Sequence, residues 1–389
     1  MSYVPTLRFP EFSEEWKAHP LTDFLEFKNG LNPEAKRFGK GVKFISVMDI
    51  LNNPYITYDV VRSSVEAHEK DMEEFSVNYG DILFQRSSET LEDIGRSNVY
   101  LDDNPCLFGG FVIRGKKIGD YNPVFFKHLL DSPFARKKII VKGAGAQHFN
   151  VGQEGLSKVS LRFPDRTEQD KIAKVFRKLD ERIKTQIRVI EDYKRLKSGV
   201  IKLLYDVGGE SYLYKDILSV ITEKNKDLAY TNVLSASQEL GMVNRDELNL
   251  DIQFDHNAIV GYKIVRRGDY VLHLRSFQGG LAFSETEGIC SPAYTILRPN
   301  HLIVYGYLRE FFMSQKFIDS LRLVIYGIRD GRSINVDEFL HMKITIPPIE
   351  KQKDIALRLE AFSQKICLEE NILEKLQAQK NYLLSQMFI

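Results

Sequence analysis

Residues 172–204 read IAKVFRKLDERIKTQIRVIEDYKRLKSGVIKLL. Apolar side chains recur in this stretch at alternating steps of four and three residues, beginning with Ile172, Phe176 and Leu179. This spacing places them on one stripe of an α-helix. A helix of roughly 37 residues would be about 55 Å long and would extend beyond a domain of ordinary size. We therefore predict that the stripe packs against a second helix.

The same stripe occurs again 183 residues later. Its polar interruptions recur with it, since Gln186 corresponds to Glu369 and Lys197 corresponds to Lys380. Unrelated amphipathic helices would rarely share both their apolar positions and their interruptions, so we interpret the two helices as copies. The predicted coiled-coil interface consists of the apolar positions of both copies: Ile172, Phe176, Leu179, Ile183, Ile190, Tyr193, Val200, Leu204, Ile355, Leu359, Phe362, Ile366, Leu373, Leu376, Leu383 and Met387.

The segments that precede the two helices are also similar to each other. Gly80-Asp81 and Gly268-Asp269 each stand before apolar residues, which predicts a turn leading into a strand. Further matches occur at corresponding intervals: Cys106–Arg114 with Cys290–Arg298, His148–Val151 with Ser333–Val336, and the proline-terminated strands 159–164 and 344–348. The duplication therefore extends over nearly the whole sequence.

This order predicts two globular segments, here called heads, each followed by a long helix. The first head spans 1–164, the central helix 165–207, the second head 208–348 and the C-terminal helix 349–389. We expect α+β or α/β heads with a mostly antiparallel sheet and small helices such as Pro123–Leu130 and Tyr307–Leu321. Antiparallel packing of the long helices, with pseudo-twofold internal symmetry, would form a coiled coil with one head at each end.

Composition limits the class of protein. The chain has 389 residues, of which 28% are charged and 43% hydrophobic, as in ordinary soluble globular proteins. No apolar run approaches the ~18 residues of a membrane span, and the N-terminal residues lack a signal-peptide pattern. The three cysteines are far apart, which favours a reducing compartment. We therefore expect a cytoplasmic protein that does not contact a membrane.

Catalytic motifs are weak or missing. No GxxxxGK[ST] loop is present, and the histidines have no HExxH spacing, so neither ATP binding nor a metal centre is predicted. Asn52-Asn53-Pro54-Tyr55 lacks the second proline of the adenine methyltransferase motif. Asp81 and Asp269 stand in Gly-Asp turns, where a structural role is expected. The sequence thus predicts a non-catalytic chain.

These features together resemble the specificity subunit of type I restriction–modification enzymes. The resemblance covers essentially the whole chain. It rests on Leu7-Arg8-Phe9-Pro10, the two Gly-Asp turns, the duplication, and the helix starts Pro-x-x-x-Glu-Gln and Pro-Pro-x-Glu-x-Gln at Pro164 and Pro347. In that family, two target recognition domains each read one part of a split DNA sequence, and an antiparallel coiled coil sets the gap between the parts.

The resemblance also implies partners and cofactors. The partners would be double-stranded DNA, two methyltransferase subunits and restriction subunits. No cofactor is expected in this chain, because S-adenosylmethionine, ATP and Mg²⁺ would be bound by the partner subunits.

Candidate DNA-binding residues lie just past a strand or within a glycine-containing loop, where the backbone can approach DNA closely. In the first head they are Arg86, Ser87, Ser88, Lys142, Gln147 and His148. In the second head they are Arg275, Ser276, Gln278, Arg329, Arg332 and Ser333. Side chains of these types supply the hydrogen bonds that read base edges and phosphates. Alternatively, Arg86 and Arg275 brace the fold through internal pairs, and the glycine loops only turn the chain.

Two other classes of function stay open. The chain could be a two-headed coiled-coil adaptor that binds protein rather than DNA, and its net charge of +1 is the best support for that hypothesis. It could also be an enzyme with a degenerate active site, against which the missing cofactor loop argues. The surplus of Lys and Arg on the central helix is either a solvated face or a surface that faces DNA or a partner.

Overall fold

The computed structural model describes residues 4–145, 148–237, 240–248, 256–326 and 333–389. The chain divides into two compact units. One comprises the chain up to Arg188 together with Asn371–Ile389, and the other comprises Val189–Glu370. Each unit therefore contains one head and a part of each long helix, whereas the segment bounds predicted from the sequence keep each helix whole.

The first unit begins with the strands and small helices of the first head. Short 3-10 helices cover Leu21–Asp23, Ala35–Arg37 and Tyr58–Val60. The other elements, in chain order, are β1 (Lys17–Pro20), β2 (Leu25–Asn29), β3 (Phe38–Ile45), α1 (Val47–Asn52), β4 (Ser64–Val65), α2 (Glu69–Phe75), β5 (Ile82–Gln85), β6 (Ser87–Ser88), β7 (Ser97–Val99), β8 (Leu107–Phe108), β9 (Val112–Lys117), α3 (Pro123–Asp131), α4 (Pro133–Ile140), β10 (Phe149–Asn150), α5 (Gln153–Ser157), β11 (Ser160–Phe163) and the long helix α6 (Arg166–Leu204), which continues into the second unit.

The second unit contains the second head. Its 3-10 helices cover Arg245–Leu248, His256–Gly261 and Leu321–Val324. The other elements are β12 (Glu210–Leu213), α7 (Tyr214–Ile217), β13 (Leu218–Ile221), β14 (Leu234–Ser237), β15 (Gly241–Asn244), β16 (Lys263–Val265), β17 (Tyr270–Leu272), α8 (Ser276–Gly279), β18 (Ala282–Phe283), β19 (Gly288–Cys290), β20 (Thr295–Pro299), α9 (Arg309–Phe312), α10 (Gln315–Ser320), β21 (Ile325–Tyr326), β22 (Ser333–Ile334), α11 (Val336–Leu340), β23 (Lys343–Ile346) and the long helix α12 (Ile349–Gln386), which ends in the first unit.

The two heads share one sheet topology. The main sheet has the antiparallel order β2–β9–β5–β7 in the first head and β13–β20–β17–β18 in the second. In both sheets the strand after the Gly-Asp turn, β5 or β17, pairs with the strand that contains Arg114 or Arg298. A second matching pair, β1–β11 and β12–β23, joins the start of each head to its end. The predicted mostly antiparallel sheets and the internal repeat are confirmed.

The long helices are antiparallel to each other within each unit. In the first unit, Phe176 of α6 contacts Phe388, which follows α12, at a ring-centroid distance of 5.6 Å, and Asp180 Oδ1 lies 2.7 Å from Lys380 Nζ. In the second unit, Lys194 Nζ lies 2.7 Å from Glu370 Oε1, and Lys197 Nζ donates to Ser363 Oγ at 2.9 Å. Higher numbers on α6 thus meet lower numbers on α12, as the predicted antiparallel coiled coil requires.

The predicted stripe positions are all buried or half-buried. Towards the ends of the helices they pack on the heads as well as on the opposite helix. Ile172 and Phe176 belong to the core of the first head, together with Met387. Ile355 and Leu359 belong to the core of the second head. The stripe is therefore also the surface on which each head is held.

The glutamine at the start of each long helix explains one repeated motif. Gln169 Nε2 donates to Pro164 O at 2.9 Å, and Gln169 Oε1 accepts from the backbone N–H of Asn122. Gln352 makes the same pair of bonds, to Pro347 O at 3.0 Å and from the N–H of Val304. Both side chains are buried. Each glutamine thus joins the strand end, the helix start and the head.

The N-terminal Leu-Arg-Phe-Pro motif has a partner in the first unit. The Arg8 guanidinium makes two hydrogen bonds to the buried Glu168 carboxylate, with Nε–Oε1 at 2.8 Å and Nη2–Oε2 at 2.7 Å. Trp16 Nε1 donates to Glu168 Oε2 at 3.3 Å. The glutamate next to Gln169 therefore holds the N-terminal segment on the first turn of α6, and the hydrogen bond to Glu168 raises the pKa of Arg8.

The two lysines that interrupt the stripes are both paired. In the first unit, Lys380 Nζ lies 2.7 Å from Asp180 Oδ1. In the second unit, Lys197 Nζ lies 2.7 Å from Glu310 Oε1. A charge in a mostly apolar seam is tolerated when it is paired and hydrogen-bonded. In the second unit the lysine pair therefore joins α6 to the head, and in the first unit it joins the two long helices to each other.

Candidate nucleic-acid interface

The two Gly-Asp turns place their carboxylates inside the heads. Asp81 accepts hydrogen bonds from the backbone N–H groups of Asn78 and Lys117, at 3.0 and 2.8 Å. Asp269 accepts from the N–H of Arg266 and makes a bidentate ion pair with Arg298, both oxygens at 2.8 Å. Both aspartates are buried and hold turns and strands together, which matches the structural role expected from the sequence.

The first head brings several predicted residues together beyond the end of β5. Ser87 and Ser88 form β6, which pairs antiparallel with β10, so that Ser88 lies opposite Phe149. Ser87 Oγ donates to Asn150 Oδ1 at 2.5 Å. His148 directly precedes β10 and is exposed, and Lys142 is half-buried in the turn after α4. Gln147 lies outside the described residues. Ser88 and His148 therefore share one polar edge of the head.

Arg86 has an internal bond in this structure. Its Nη1 donates to Gly110 O at 3.2 Å, and its backbone N–H donates to Phe111 O at 2.9 Å. Phe111 itself is 69% exposed beside it. The arginine thus braces the turn at Gly109–Phe111, which is the alternative role considered from the sequence. Phe111 was not among the predicted residues, because a single aromatic residue in a glycine-containing segment gives no sequence signal.

In the second head the matching segment has a different structure. Arg275 directly precedes the short helix α8 and Gln278 lies on it, and both side chains are exposed. Ser276 is fully buried, and its Oγ accepts a hydrogen bond from the backbone N–H of His273 at 2.8 Å. Ser276 thus stabilises the turn between β17 and α8, and contact with DNA would require that turn to open. The sequence parallel with Ser87 did not indicate this difference.

The remaining predicted residues of the second head lie in and before β22. Ser333 is exposed and lies opposite Tyr326 in the β21–β22 pair. Arg329 and Arg332 lie outside the described residues. Helix α8 lies beside β22, so Ser333 shares one side of the head with the α8 segment. In each head, the segment after the Gly-Asp strand, β6 or α8, therefore contacts a short strand that follows a glycine-containing loop, β10 or β22.

The central helix carries an exposed basic face. Its exposed residues include Lys171, Lys174, Arg177, Lys178, Arg182, Lys184, Arg188, Lys194 and Arg195. Three of these residues have carboxylate partners: Lys171 with Glu11, Lys194 with Glu370, and Arg195 with Asp192. Exposed pairs of this kind are weak, so these cations can exchange their partners for phosphates at low cost.

A groove in the second unit offers a surface of another character. It has a volume of about 640 Å³ and lies between the second head and α12. Phe283, Tyr305 and the exposed Leu357 supply its apolar part, and Arg309 and Glu360 supply charges. A mixed apolar and charged groove beside a helix is suited to a protein partner rather than to a phosphate backbone.

Catalytic chemistry has little support in the described part of the chain. No group of three or more His, Cys, Asp or Glu side chains is placed to hold a metal ion there. Cys106 and Cys290 are buried, and burial raises the pKa of their thiols to about 11 and about 12. Among the described helices, none is both long enough and apolar enough to span a membrane.

Comparison with known proteins identifies the family. The family model of the type I restriction modification DNA specificity domain matches residues 13–191 and 215–378. The putative type I restriction enzyme MjaX specificity subunit of Methanocaldococcus jannaschii is 22% identical over 402 residues, covering 96% of this chain and 93% of that protein. The MjaVIII specificity subunit of the same organism is 23% identical over 425 residues, covering 97% and 92%.

Solved structures have the same fold. The S subunit of a type I restriction–modification system from M. genitalium gives a TM-score of 0.58 at 12% identity, covering 99% of both chains. A chain from a structure of type I restriction–modification complex assembly also gives 0.58 at 12% identity, covering 95% and 96%. Since two copies of the family domain span most of the sequence, this chain belongs to the family of type I restriction–modification DNA specificity proteins.

Proposed function

We propose that this chain is the non-catalytic DNA-recognition subunit of a type I restriction–modification complex and that each head binds one part of a split double-stranded target. One observation carries the proposal: the same sheet order occurs twice, and in each head the segment that follows the Gly-Asp strand, β6 or α8, contacts a short strand with an exposed polar residue, Asn150 of β10 or Ser333 of β22. Two similar supports with different polar residues are suited to reading two different short sequences.

Contacts to base edges and contacts to phosphates are assigned to different side chains according to their chemistry. Exposed Arg, Gln, Ser and His side chains such as Arg275, Gln278, Ser333 and His148 can pair with base edges in the major groove. The exposed cations of α6 can neutralise phosphates and fix register without reading sequence. The heads differ most in residues 31–75 and 222–260, and this difference supports an asymmetric target.

We assign the spacing of the two target parts to the long helices. At ~1.5 Å per residue, the 39 residues of α6 extend about 58 Å. This length corresponds to somewhat more than one and a half turns of B-DNA at ~34 Å per turn. A spacer of that size would let two heads reach separate major-groove segments with a fixed gap between them.

The catalytic subunits would complete the complex. We propose two methyltransferase subunits and additional restriction subunits as partners, with S-adenosylmethionine, ATP and Mg²⁺ bound by those subunits. The groove beside α12 supports docking of a methyltransferase subunit at Leu357. Replacing Leu357 with Glu should weaken co-purification with that subunit at least 10-fold. Leu203→Glu, on an equally exposed leucine of α6, is the matched control and should leave binding unchanged.

The test is a methylation map. The chain is expressed with the methyltransferase subunit encoded beside it, in a host without such systems, and N6-methyladenine is located by long-read sequencing. We expect a new motif of two short defined parts around a fixed gap. A soluble complex that produces no new methylation would contradict the proposal and would favour the adaptor function.

A further inference from the structure

The two lysines at equivalent stripe positions, Lys380 and Lys197, pair with carboxylates from different parts of the chain. In the first unit the carboxylate comes from the helix, as Asp180 of α6. In the second unit the carboxylate comes from the head, as Glu310 of α9. Ser363 stands at the repeat position of Asp180, 183 residues later, and contacts Lys197 with a neutral hydroxyl. We call Asp180 with Lys380 the first seat, and Ser363 with Lys197 the second seat.

The first head contacts the first seat through uncharged side chains. Tyr55 donates its hydroxyl to Asp180 Oδ2 at 2.5 Å, and His128 Nε2 lies 3.1 Å from the same oxygen. His128 is completely buried and stacks on Phe176 at 4.5 Å. Burial is the main cause that lowers the pKa of His128, to about 4, so the ring is neutral at pH 7. The first head therefore brings hydrogen-bond donors and no charge.

The second head contacts the second seat through a charged side chain, Glu310. The side chains of Glu310 and Lys197 are only 14% and 18% exposed. The long helices contribute Lys197 and the hydroxyl of Ser363, and the carboxylate that pairs with Lys197 comes from Glu310 of the head. Removal of that carboxylate leaves a half-buried ammonium group with only a neutral partner, which is costly in a partly desolvated site.

We propose that these side chains position the heads and that their charge pattern assigns each head to its own seat. A head carrying a glutamate at the Glu310 position, placed on the first seat, would set two carboxylates against one lysine. A head carrying His128 and Tyr55, placed on the second seat, would leave Lys197 without a carboxylate. Each mismatch leaves a charge uncompensated in a site with little water. The inference concerns assembly of the chain and does not depend on what the heads bind.

The test is a double-mutant cycle in the full chain, with Glu310→Gln and Ser363→Asp. Glu310→Gln should lower the Tm of the second unit by about 5 °C, since it leaves Lys197 unpaired. Ser363→Asp alone should be neutral or destabilising, because it places two carboxylates around one lysine. In the Glu310→Gln background the same Ser363→Asp change should instead restore at least half of the lost Tm, because it gives the second seat the arrangement of the first.

The control separates charge compensation from general stabilisation. Tyr205 donates its hydroxyl to Tyr307 O and joins α6 to the second head without a charge. Ser363→Asp should not restore stability to a Tyr205→Phe variant. Hydrogen exchange of α9 gives an independent reading of head attachment in variants that stay folded. An effect of Ser363→Asp with the same sign and size in all three backgrounds would overturn the proposal.

Discussion

At the residue scale, the equivalent aspartates of the two heads, Asp81 and Asp269, have different kinds of partner. Asp269 forms a bidentate ion pair with Arg298. Arg114, at the matching position of the first head, donates instead to the Ser76 carbonyl, and Asp81 accepts from the backbone N–H groups of Asn78 and Lys117. Burial raises the pKa of Asp81 despite those bonds. The sequence predicts both turns but not this difference, because the pairing depends on strand neighbours.

This difference predicts unequal costs for one substitution. Asp269→Asn breaks a buried ion pair and should lower the free energy of unfolding by about 3–5 kcal/mol. Asp81→Asn keeps one backbone hydrogen bond and should cost about 1–2 kcal/mol. Denaturant unfolding of both variants of the full chain measures the costs. Equal costs would mean that Arg298 does not contribute as its geometry indicates.

His128 gives the first unit a dependence on pH. Its pKa is lowered from 6.5 to about 4 by burial, with Lys127 and Lys380 opposing its protonation and Asp180 favouring it. The unfolded chain therefore binds a proton that the folded chain does not as pH falls below about 6.5. Stability from this group is complete above that pH and is lost on acidification.

Acidification from pH 7.5 to pH 5 should cost about 2 kcal/mol through His128. A His128→Phe variant should keep its ring contact with Phe176 and lose this part of the pH dependence. Urea unfolding at both pH values, for the wild type and the variant, gives the difference directly. The same loss of stability in both proteins would exclude His128 as the source.

At the element scale, local patterns predicted the long helices, while tertiary contacts decided the short elements. Helix α6 was predictable because its apolar stripe repeats over many turns. The single helix predicted at Tyr307–Leu321 is divided into α9 and α10, because Ser314 Oγ accepts from the N–H of Phe317 and starts a new helix. The similar segments at Ser87 and Ser276 have different structures. Ser87 pairs with Asn150 of β10, whereas Ser276 begins the helix α8.

Replacing a side chain with alanine should change the stability of the protein by different amounts on the two sides of α6. Phe176 is fully buried against His128 and Phe388, so Phe176→Ala should cost about 3–5 kcal/mol. Leu203 lies on the same helix and is 75% exposed, so Leu203→Ala should change stability by less than about 0.5 kcal/mol. Chemical denaturation measures both. A small effect at Phe176 would mean that the first head is not held on α6 by this contact.

At the scale of the whole molecule, the duplication was the most informative feature of the sequence. It predicted two heads, two long helices and the antiparallel arrangement, all of which depend on the repeat rather than on single residues. The contacts that attach the heads could not be predicted. Tyr55 and Asp180 are 125 residues apart, and nothing local marks either as a partner of the other. The lysine interruptions indicated that the two helices are copies, but nothing in the sequence indicated the carboxylates that pair with them.

The central claim is that the two heads read separate parts of one target, and head-specific variants test it most directly. Methylation maps are made for the wild type and for Arg275→Ala/Gln278→Ala, with Ser88→Ala/His148→Ala as the reciprocal variant in the first head. We predict that each double variant relaxes the sequence of one part only and leaves the other part and the gap unchanged. Variants that alter both parts together, or that leave both parts unchanged with normal complex formation, would contradict the account.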